Sequence, residues 1–360
     1  MPPSSLRTDV LTGRQVIVAP ERGSRPGACS SEPTLTNPES GDPFLEGREF
    51  ETPHETLALR RDDTSTDQTG WLIRVVPNQF PAVRRNNFKE ALVNFMTGRE
   101  VVDSKLHPQI FTSGHHEVVI ESPRSESCFA ELSVAEAVRI VLAWQRRIRD
   151  LETLDGIRSI TVFKNEGFSA GASLPHVHSQ ILAMHTIPPE MQTRELRMEK
   201  YRTATGHRLL QALCEEEFRK QERVIDLRDD SVLLCPFAGR VGWQMRCIPQ
   251  HSDASFSKTS ESVVVQMASQ LWAGARSLRH YADPLALNLT LVQPMHSQNA
   301  ADWFLELLPR PARLAGFELA TDVDIVTITP ETAAERLRNQ LQVELPSAAD
   351  IVPKGYSWTA

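Results

Sequence analysis

An order of elements that occurs twice constrains the fold of this chain more than any other feature. In the first half, Trp71 to Val76 (WLIRVV) and His115 to Glu121 (HHEVVIE) read as strands. Ser133 to Leu151 reads as an amphipathic helix. Ser133 and Glu136 form a capping box, and Val134, Ala137, Val138, Val141, Leu142, Ile148 and Leu151 make an apolar stripe of helical period. Ile157 to Phe163 is a strand that leads into residues 176–182. The second half repeats this succession. Ser231 to Pro236 and Val241 to Pro249 pair as strands, Ser262 to Tyr281 is a helix with Trp272 in the place of Trp144, and Leu285 to Val292 is a strand. Asp302 to Leu308 then falls where His176 to Leu182 fall, with Asp302, Phe304 and Glu306 at the positions of His176, His178 and Gln180. The repeat predicts an α+β fold of two lobes, each an antiparallel sheet with a helix on one face. The expected division is a lobe over 1–188, a charged and solvated helical connector over 189–223, and a lobe over 224–360.

The candidate chemistry lies in the first half, in FKNEGFSAGASLPHVHSQILAM (163–184). His176, His178 and Gln180 alternate with Val177 and Ser179, so in a strand both imidazoles and the amide line one face. The run of small residues before them (Gly167, Ser169, Ala170, Gly171, Ala172, Ser173) lets backbone approach a ligand and present N–H groups to an anion. Phosphoryl or nucleotidyl transfer onto a histidine needs such a combination. Surface histidines on a strand, or a structural metal site, fit the spacing equally well. Elsewhere, Arg22 and Arg25 sit on a turn after the strand Arg14 to Ala19 and suit phosphate oxygens. Asn78, in Pro77-Asn78-Gln79-Phe80-Pro81, is placed to cap its own turn or to meet a ligand. Residues 27–55 read as an irregular loop rich in Pro, Ser, Glu and Thr.

With 360 residues the chain can bury a large core. A formal net charge of −7 without a strongly basic stretch argues against a nucleic-acid partner. No apolar run reaches membrane-spanning length and the N-terminus has no signal-peptide core, so the expected location is cytoplasmic. The five cysteines are scattered and form no CxxC pair, which points away from a disulfide framework.

His176-Val177-His178-Ser179-Gln180 resembles the His-Pro-His-x-Gln signature of the galactose-1-phosphate uridylyltransferase family, in the histidine-triad superfamily. Arg22 to Pro26, Pro77 to Pro81, Gly114 to Pro123, Phe163 to Gly167, Gly171 to Ser173 and Ala315 to Leu319 extend the resemblance from about residue 6 to residue 340. The related enzyme type that acts on ADP-glucose matches the same motifs.

The resemblance implies two histidine-triad-like lobes and a ping-pong exchange of a nucleoside monophosphate between a nucleotide sugar and a sugar 1-phosphate. It makes His178 the nucleophile and Gln180 the donor to a non-bridging oxygen. Ser173 and the Gly171 backbone would hold leaving-group oxygens, and Arg22, Arg25, Asn78 and Asn165 would bind nucleotide or phosphate. Phe317 and Glu318 match positions that contact the hexose from a partner subunit, so a homodimer is implied. The first expectation is a UDP-glucose:galactose-1-phosphate uridylyltransferase. The alternatives are an adenylyl-specific phosphorylase, acting on an ADP-sugar or a diadenosine polyphosphate with phosphate as acceptor, and a nucleotide-binding protein without turnover. Asp324 falls near a hexose-binding glutamine of the uridylyltransferases, which puts galactose specificity in question. Where many members carry a zinc-binding Cys-Pro-x-Cys, this chain has Asp42-Pro43-Phe44-Leu45. His116 and His176 match the remaining zinc ligands and Asp42 offers an oxygen, but Leu45 offers nothing, which argues against a tetrahedral zinc.

Overall fold

Alternation along the strands decides which face each residue serves. In the stretch SITVFKNE, Ile160 and Val162 enter the main core while Phe163 and Asn165, of the alternate parity, point to the opposite face. In HSQILAM, Ile181 and Ala183 enter the core, leaving His178 and Gln180 on that same opposite face. The computed structural model describes residues 3–24, 33, 35–37, 41–85, 106–107, 112–250, 255–282, 286–295, 302–311 and 315–359. Among them the strands are β1 (Ser5–Thr8), β2 (Gln15–Val18), β3 (Leu57–Arg61), β4 (Trp71–Pro77), β5 (Gly114–Ile120), β6 (Ser159–Glu166), β7 (His178–Met184), β8 (Val224–Leu227), β9 (Ser231–Leu234), β10 (Met245–Pro249), β11 (Leu287–Val292), β12 (Phe304–Pro309), β13 (Asp324–Val326) and β14 (Tyr356–Thr359). The longer helices are α1 (Val134–Leu151), α2 (Pro189–Thr205), α3 (Leu209–Lys220), α4 (Glu261–Arg279), α5 (Gly316–Thr321) and α6 (Pro330–Gln340). None is long and apolar enough to cross a membrane.

The sheet order states the duplication directly. One sheet runs β14-β3-β4-β5-β7-β6-β11-β12-β10-β9-β8. Its two halves, β3-β4-β5-β7-β6 and β11-β12-β10-β9-β8, are the same sequence of neighbours read in opposite directions. They meet where β6 pairs antiparallel with β11, Phe163 opposite Thr290. Phe163 also pairs with Gln180, and Thr290 with Glu306, so Glu306 occupies the position of Gln180 as the sequence alignment expects. Each half is an antiparallel sheet with its helix. Helices α1 and α4 pack side by side on one face, and a single core joins both halves through Val141, Trp144, Leu271 and Trp272. The capping box of α1 forms as read: the Glu136 N–H donates to Ser133 Oγ at 3.3 Å and the Ser133 N–H donates to Glu136 Oε2 at 2.9 Å.

Two expectations are corrected. The segment 189–223 is not a solvated connector. It breaks at Gly206 (φ 78) into α2 and α3, which bury Met198, Leu209, Leu210 and Cys214 against Leu11, Val232, Leu234 and Phe304. Its helices are polar on average because only a narrow side of each is buried, and that hides the docking from a composition reading. Second, the ends of the chain leave their halves. The C-terminal strand β14 pairs with β3 at the edge of the first half, although a lobe of 224–360 would keep it in the second. The N-terminal β2 joins β1 and β13 in a separate three-stranded sheet. Covering β3 removes an exposed edge with unpaired backbone groups.

The sheet face opposite α1 and α4 differs between the halves. In the second half α2, α3 and Leu11 cover it. There the Arg246 guanidinium stacks 4.4 Å over Phe304 and pairs with Glu306 at 2.8 Å, while Arg208 pairs with Asp302 at 2.7 Å. The positions equivalent to His176, His178 and Gln180 are thus filled by internal ion pairs, and the first half alone keeps the candidate chemistry.

Candidate active site

His178 opens β7 and is 6 % exposed. Its Nδ1–H donates to the His176 carbonyl at 2.7 Å. A hydrogen held on Nδ1 leaves Nε2 as the unprotonated nitrogen of the neutral ring. Nε2 has no partner among the described residues. Burial pushes the His178 pKa below the ordinary 6.5, the bond to the His176 carbonyl opposes this, and the nearby Lys164 charge adds to the lowering. Phe44 packs against the imidazole with ring centroids 5.4 Å apart. The result is a neutral, sterically fixed nitrogen nucleophile.

Gln180 lies two residues on, on the same face. Its Oε1 accepts from His116 Nε2 at 2.8 Å and from Asn78 Nδ2 at 3.4 Å. His116 can donate from Nε2 because its Nδ1 accepts from the Ala82 N–H at 3.0 Å. Burial lowers the His116 pKa too, which keeps the ring neutral so that Nδ1 can accept. With Oε1 occupied, the Gln180 NH₂ is the free end of the amide. Asn78 caps its own turn, its Oδ1 accepting from the Phe80 N–H at 2.8 Å, while its amide reaches Gln180.

The opposite face of the strand is pinned. Trp144 Nε1 of α1 donates to Ser179 Oγ at 2.7 Å. Lys164 Nζ, 1 % exposed, donates to Glu121 Oε2 at 2.6 Å and to the His178 carbonyl at 3.5 Å. A buried lysine and glutamate therefore sit directly under the nucleophile's backbone. The sequence assigned neither a role, because the two partners are 43 residues apart.

The loop between β6 and β7 reverses at Gly167 (φ 84) and Gly171 (φ 86), conformations that side-chain-bearing residues rarely adopt. The Gly171 N–H donates to the Phe168 carbonyl at 3.0 Å, so it is spent inside the turn and not presented to an anion. What Gly171 supplies is space: only Asn165 Nδ2, at 3.8 Å, lies within 4 Å of where a Cβ would be. Ser173 is exposed, and its hydroxyl has no hydrogen bond among the described residues. Asn165 is held by Asn288, whose Nδ2 donates to Asn165 Oδ1 at 2.9 Å and to the Ala170 carbonyl at 3.0 Å. Asn288 was also missed; its signal was a polar residue interrupting the apolar run LALNLTLV.

The residues at the zinc-equivalent positions do not fit a tetrahedral zinc. His176 donates from Nδ1 to Asp42 Oδ2 at 2.8 Å and from Nε2 to the Ser122 carbonyl at 2.8 Å, so both ring nitrogens are in use. The other Asp42 oxygen accepts from the Phe44 N–H at 3.0 Å. His116 is committed to Gln180, and Leu45 has no donor atom. Among the described residues no three His, Cys, Asp or Glu side chains gather to hold a metal ion. Asp42 and His176 form a buried hydrogen-bonded pair that ties residues 41–48 to the histidine strand.

The other candidates fall elsewhere. Arg22 is exposed on the turn Pro20–Ser24, whose Gly23 faces Thr327, just after β13. Asp324 lies in β13 and pairs with Arg240 at 3.2 Å. Phe317, 44 % exposed, and Glu318 lie on α5, where the Glu318 carboxylate accepts from the Ala315 N–H at 3.1 Å. No contact of the described residues joins this group to His178. Arg25 lies outside the described residues.

The sequence matches the family described as galactose-1-phosphate uridyl transferase, N-terminal domain, over residues 3–188. It is 30 % identical over 340 residues to the ADP-glucose phosphorylase of Arabidopsis thaliana, covering 92 % of each chain. It is 24 % identical over 348 residues to a probable galactose-1-phosphate uridylyltransferase of Drosophila melanogaster, covering 92 % of this chain and 94 % of that one. Among solved structures, an Arabidopsis thaliana ADP-glucose phosphorylase with bound ADP-glucose superposes with a TM-score of 0.77 at 27 % identity, covering 94 % of this chain and 98 % of that one. A uridylyltransferase superposes at 0.71 and 21 % identity, a likeness of fold.

Proposed function

The chain is an enzyme of the galactose-1-phosphate uridyl transferase family, and we propose that it moves a nucleoside monophosphate from a nucleotide sugar to a phosphate acceptor through His178. The observation that carries this is the neutral ring of His178, whose Nε2 has no partner among the described residues, on the same strand face as the free amide of Gln180.

Nε2 attacks the α-phosphorus of the nucleotide sugar. A P–N bond forms, the bond from that phosphorus to the bridging oxygen breaks, and the sugar 1-phosphate leaves with the electron pair. The imidazole becomes cationic in the intermediate, and its Nδ1–H remains bonded to the His176 carbonyl. Gln180 donates to a non-bridging oxygen, and Ser173 and Asn165 hold oxygens of the departing phosphate. An oxygen of the acceptor phosphate then attacks the same phosphorus and releases neutral His178. In such transfers positioning and charge stabilisation are most of the catalytic task.

The donor we favour is an ADP-sugar with inorganic phosphate as acceptor. Two points support it: the higher identity to the plant ADP-glucose phosphorylase over the same length, and Asp324 in place of a hexose-binding glutamine. Uridylyl transfer to galactose 1-phosphate is the second reading. We further propose a homodimer in which Phe317 and Glu318 of one subunit complete the site of the other, as the family resemblance implies.

Intact-protein mass spectrometry with each donor tests the choice. An AMP adduct from ADP-glucose, discharged by phosphate, is expected. A UMP adduct from UDP-glucose, discharged by galactose 1-phosphate, would replace the first reading by the second, and no adduct with either would overturn both.

A further inference from the structure

We infer that Arg310 belongs to the same site and grips the phosphate that departs with the sugar in the first half-reaction and arrives with the acceptor in the second. The inference rests on the nucleotidyl-transfer reading and adds to it a residue that no sequence motif indicated.

Register places Arg310 on the nucleophile's face of the sheet, two residues beyond the row that holds His178. Strands β7, β6, β11 and β12 are consecutive neighbours. Lys164 pairs with Ser179, so the next step of that ladder sets Asn165 across from His178. Asn165 pairs with Asn288, and Asn288 with Leu308. Arg310 follows two residues later, on the same face, with its N–H donating to the Ala286 carbonyl at 2.8 Å to continue the ladder. Its side chain turns inward: Nε donates to Asn288 Oδ1 at 2.5 Å. Asn288 in turn bonds Asn165 and the Ala170 carbonyl of the small-residue loop. The path Arg310, Asn288, Asn165 thus ends at the residues expected to meet phosphate oxygens.

The charge at the end of that path is unmatched. Arg310 is half-buried, and no carboxylate of the described residues lies within ion-pair distance of it. Desolvation and then repulsion from Arg240 hold its pKa below the usual guanidinium value, while the one nearby acid, Asp324, is already bonded to Arg240. With Nε spent on Asn288, the two terminal nitrogens remain as a planar donor fork, the shape that suits phosphate. Three strand spacings separate β7 from β12, roughly 14 Å. Asn165 and Asn288 lie on the two strands between, along the path a diphosphate held by both His178 and Arg310 would follow.

The test uses Arg310→Met and Arg310→Lys in the full-length protein. Arg310→Met is expected to raise the KM of the acceptor, whether inorganic phosphate or galactose 1-phosphate, by roughly 10–100-fold, with the nucleotide-sugar KM changing less. Arg310→Lys should recover part of the loss. A purely structural arginine would behave differently: its removal would lower stability and leave the response to phosphate intact. Arg310→Met gives up the bond to Asn288 and should melt a few degrees lower without ligand, and the upward shift in melting temperature that phosphate gives wild type should vanish. If Arg310→Met does not fold, or if Arg310→Lys leaves the acceptor KM unchanged, the inference falls. If wild type itself forms no nucleotidyl adduct, the functional reading fails first, and the phosphate melting shift of Arg310→Met against wild type still decides whether Arg310 binds anions.

Discussion

Replacing Asp42 by alanine probes how a member of a zinc-binding family holds its histidine strand without the cysteine pair. The substitution deletes a carboxylate that is 3 % exposed and accepts from His176 Nδ1 at 2.8 Å, from the Phe44 N–H at 3.0 Å and from Ser125 Oγ at 3.3 Å. It strands the polar Nδ1 of a histidine that is itself 1 % exposed. Each buried donor left without its acceptor costs about 1–3 kcal/mol, and the substitution strands more than one. We therefore expect a loss of about 4 kcal/mol in urea unfolding, with the slope unchanged. Catalysis should suffer as well, because His178 takes its orientation from the His176 carbonyl. A fall in kcat of roughly ten-fold corresponds to about 1.4 kcal/mol of lost positioning. Chelators should leave the wild type untouched, and metal analysis should find no stoichiometric zinc. An Asp42→Ala protein as stable and active as wild type, or a wild type that chelation destabilises, would refute the argument.

Other expectations follow from the same geometry. Since the neutral His178 ring is the nucleophile and burial lowers its pKa, kcat/KM should stay level as pH falls to 6.5 and drop only below it; a drop centred above 6.5 would contradict this. Stability has the same sign: the unfolded chain takes up the proton near 6.5 and the folded chain resists it, so the contribution is complete above 6.5 and lost as pH falls through the lower folded value. Lys164→Met should cost about 3–5 kcal/mol by leaving Glu121 buried and unpaired, and Lys164→Met with Glu121→Gln should regain much of it in thermal melts. His116→Ala frees Gln180 to rotate and should lower kcat, while the Gln180→Ala/His116→Ala pair should lose little more than Gln180→Ala alone; strict additivity would sink the proposed coupling.

Much of this was legible in the chain itself because it rests on local rules. The Ser133–Glu136 box starts α1 at Val134, and the period-two spacing of His178 and Gln180 puts them on one face. The order of elements carried the duplication, down to Glu306 at the position of Gln180. What stayed hidden depends on distant pairing. Nothing local says that Tyr356–Thr359 returns to cover β3, or that the polar helix α2 buries Met198. In the site, Asp42 was read as a possible oxygen ligand to a metal, and only its placement 2.8 Å from His176 turns it into a hydrogen-bond partner. Lys164 and Asn288 escaped because their partners, Glu121 and Asn165, lie 43 and 123 residues away.

The most direct test is to trap the protein with its nucleotide-sugar donor in the absence of acceptor, digest it, and locate the added mass by tandem mass spectrometry. The account predicts one nucleoside monophosphate on the peptide containing His178, attached to that histidine, and none on a His178→Asn protein whose circular dichroism matches wild type. A nucleotidyl group on His176, His116 or any other residue, or sustained turnover by His178→Asn, would contradict it.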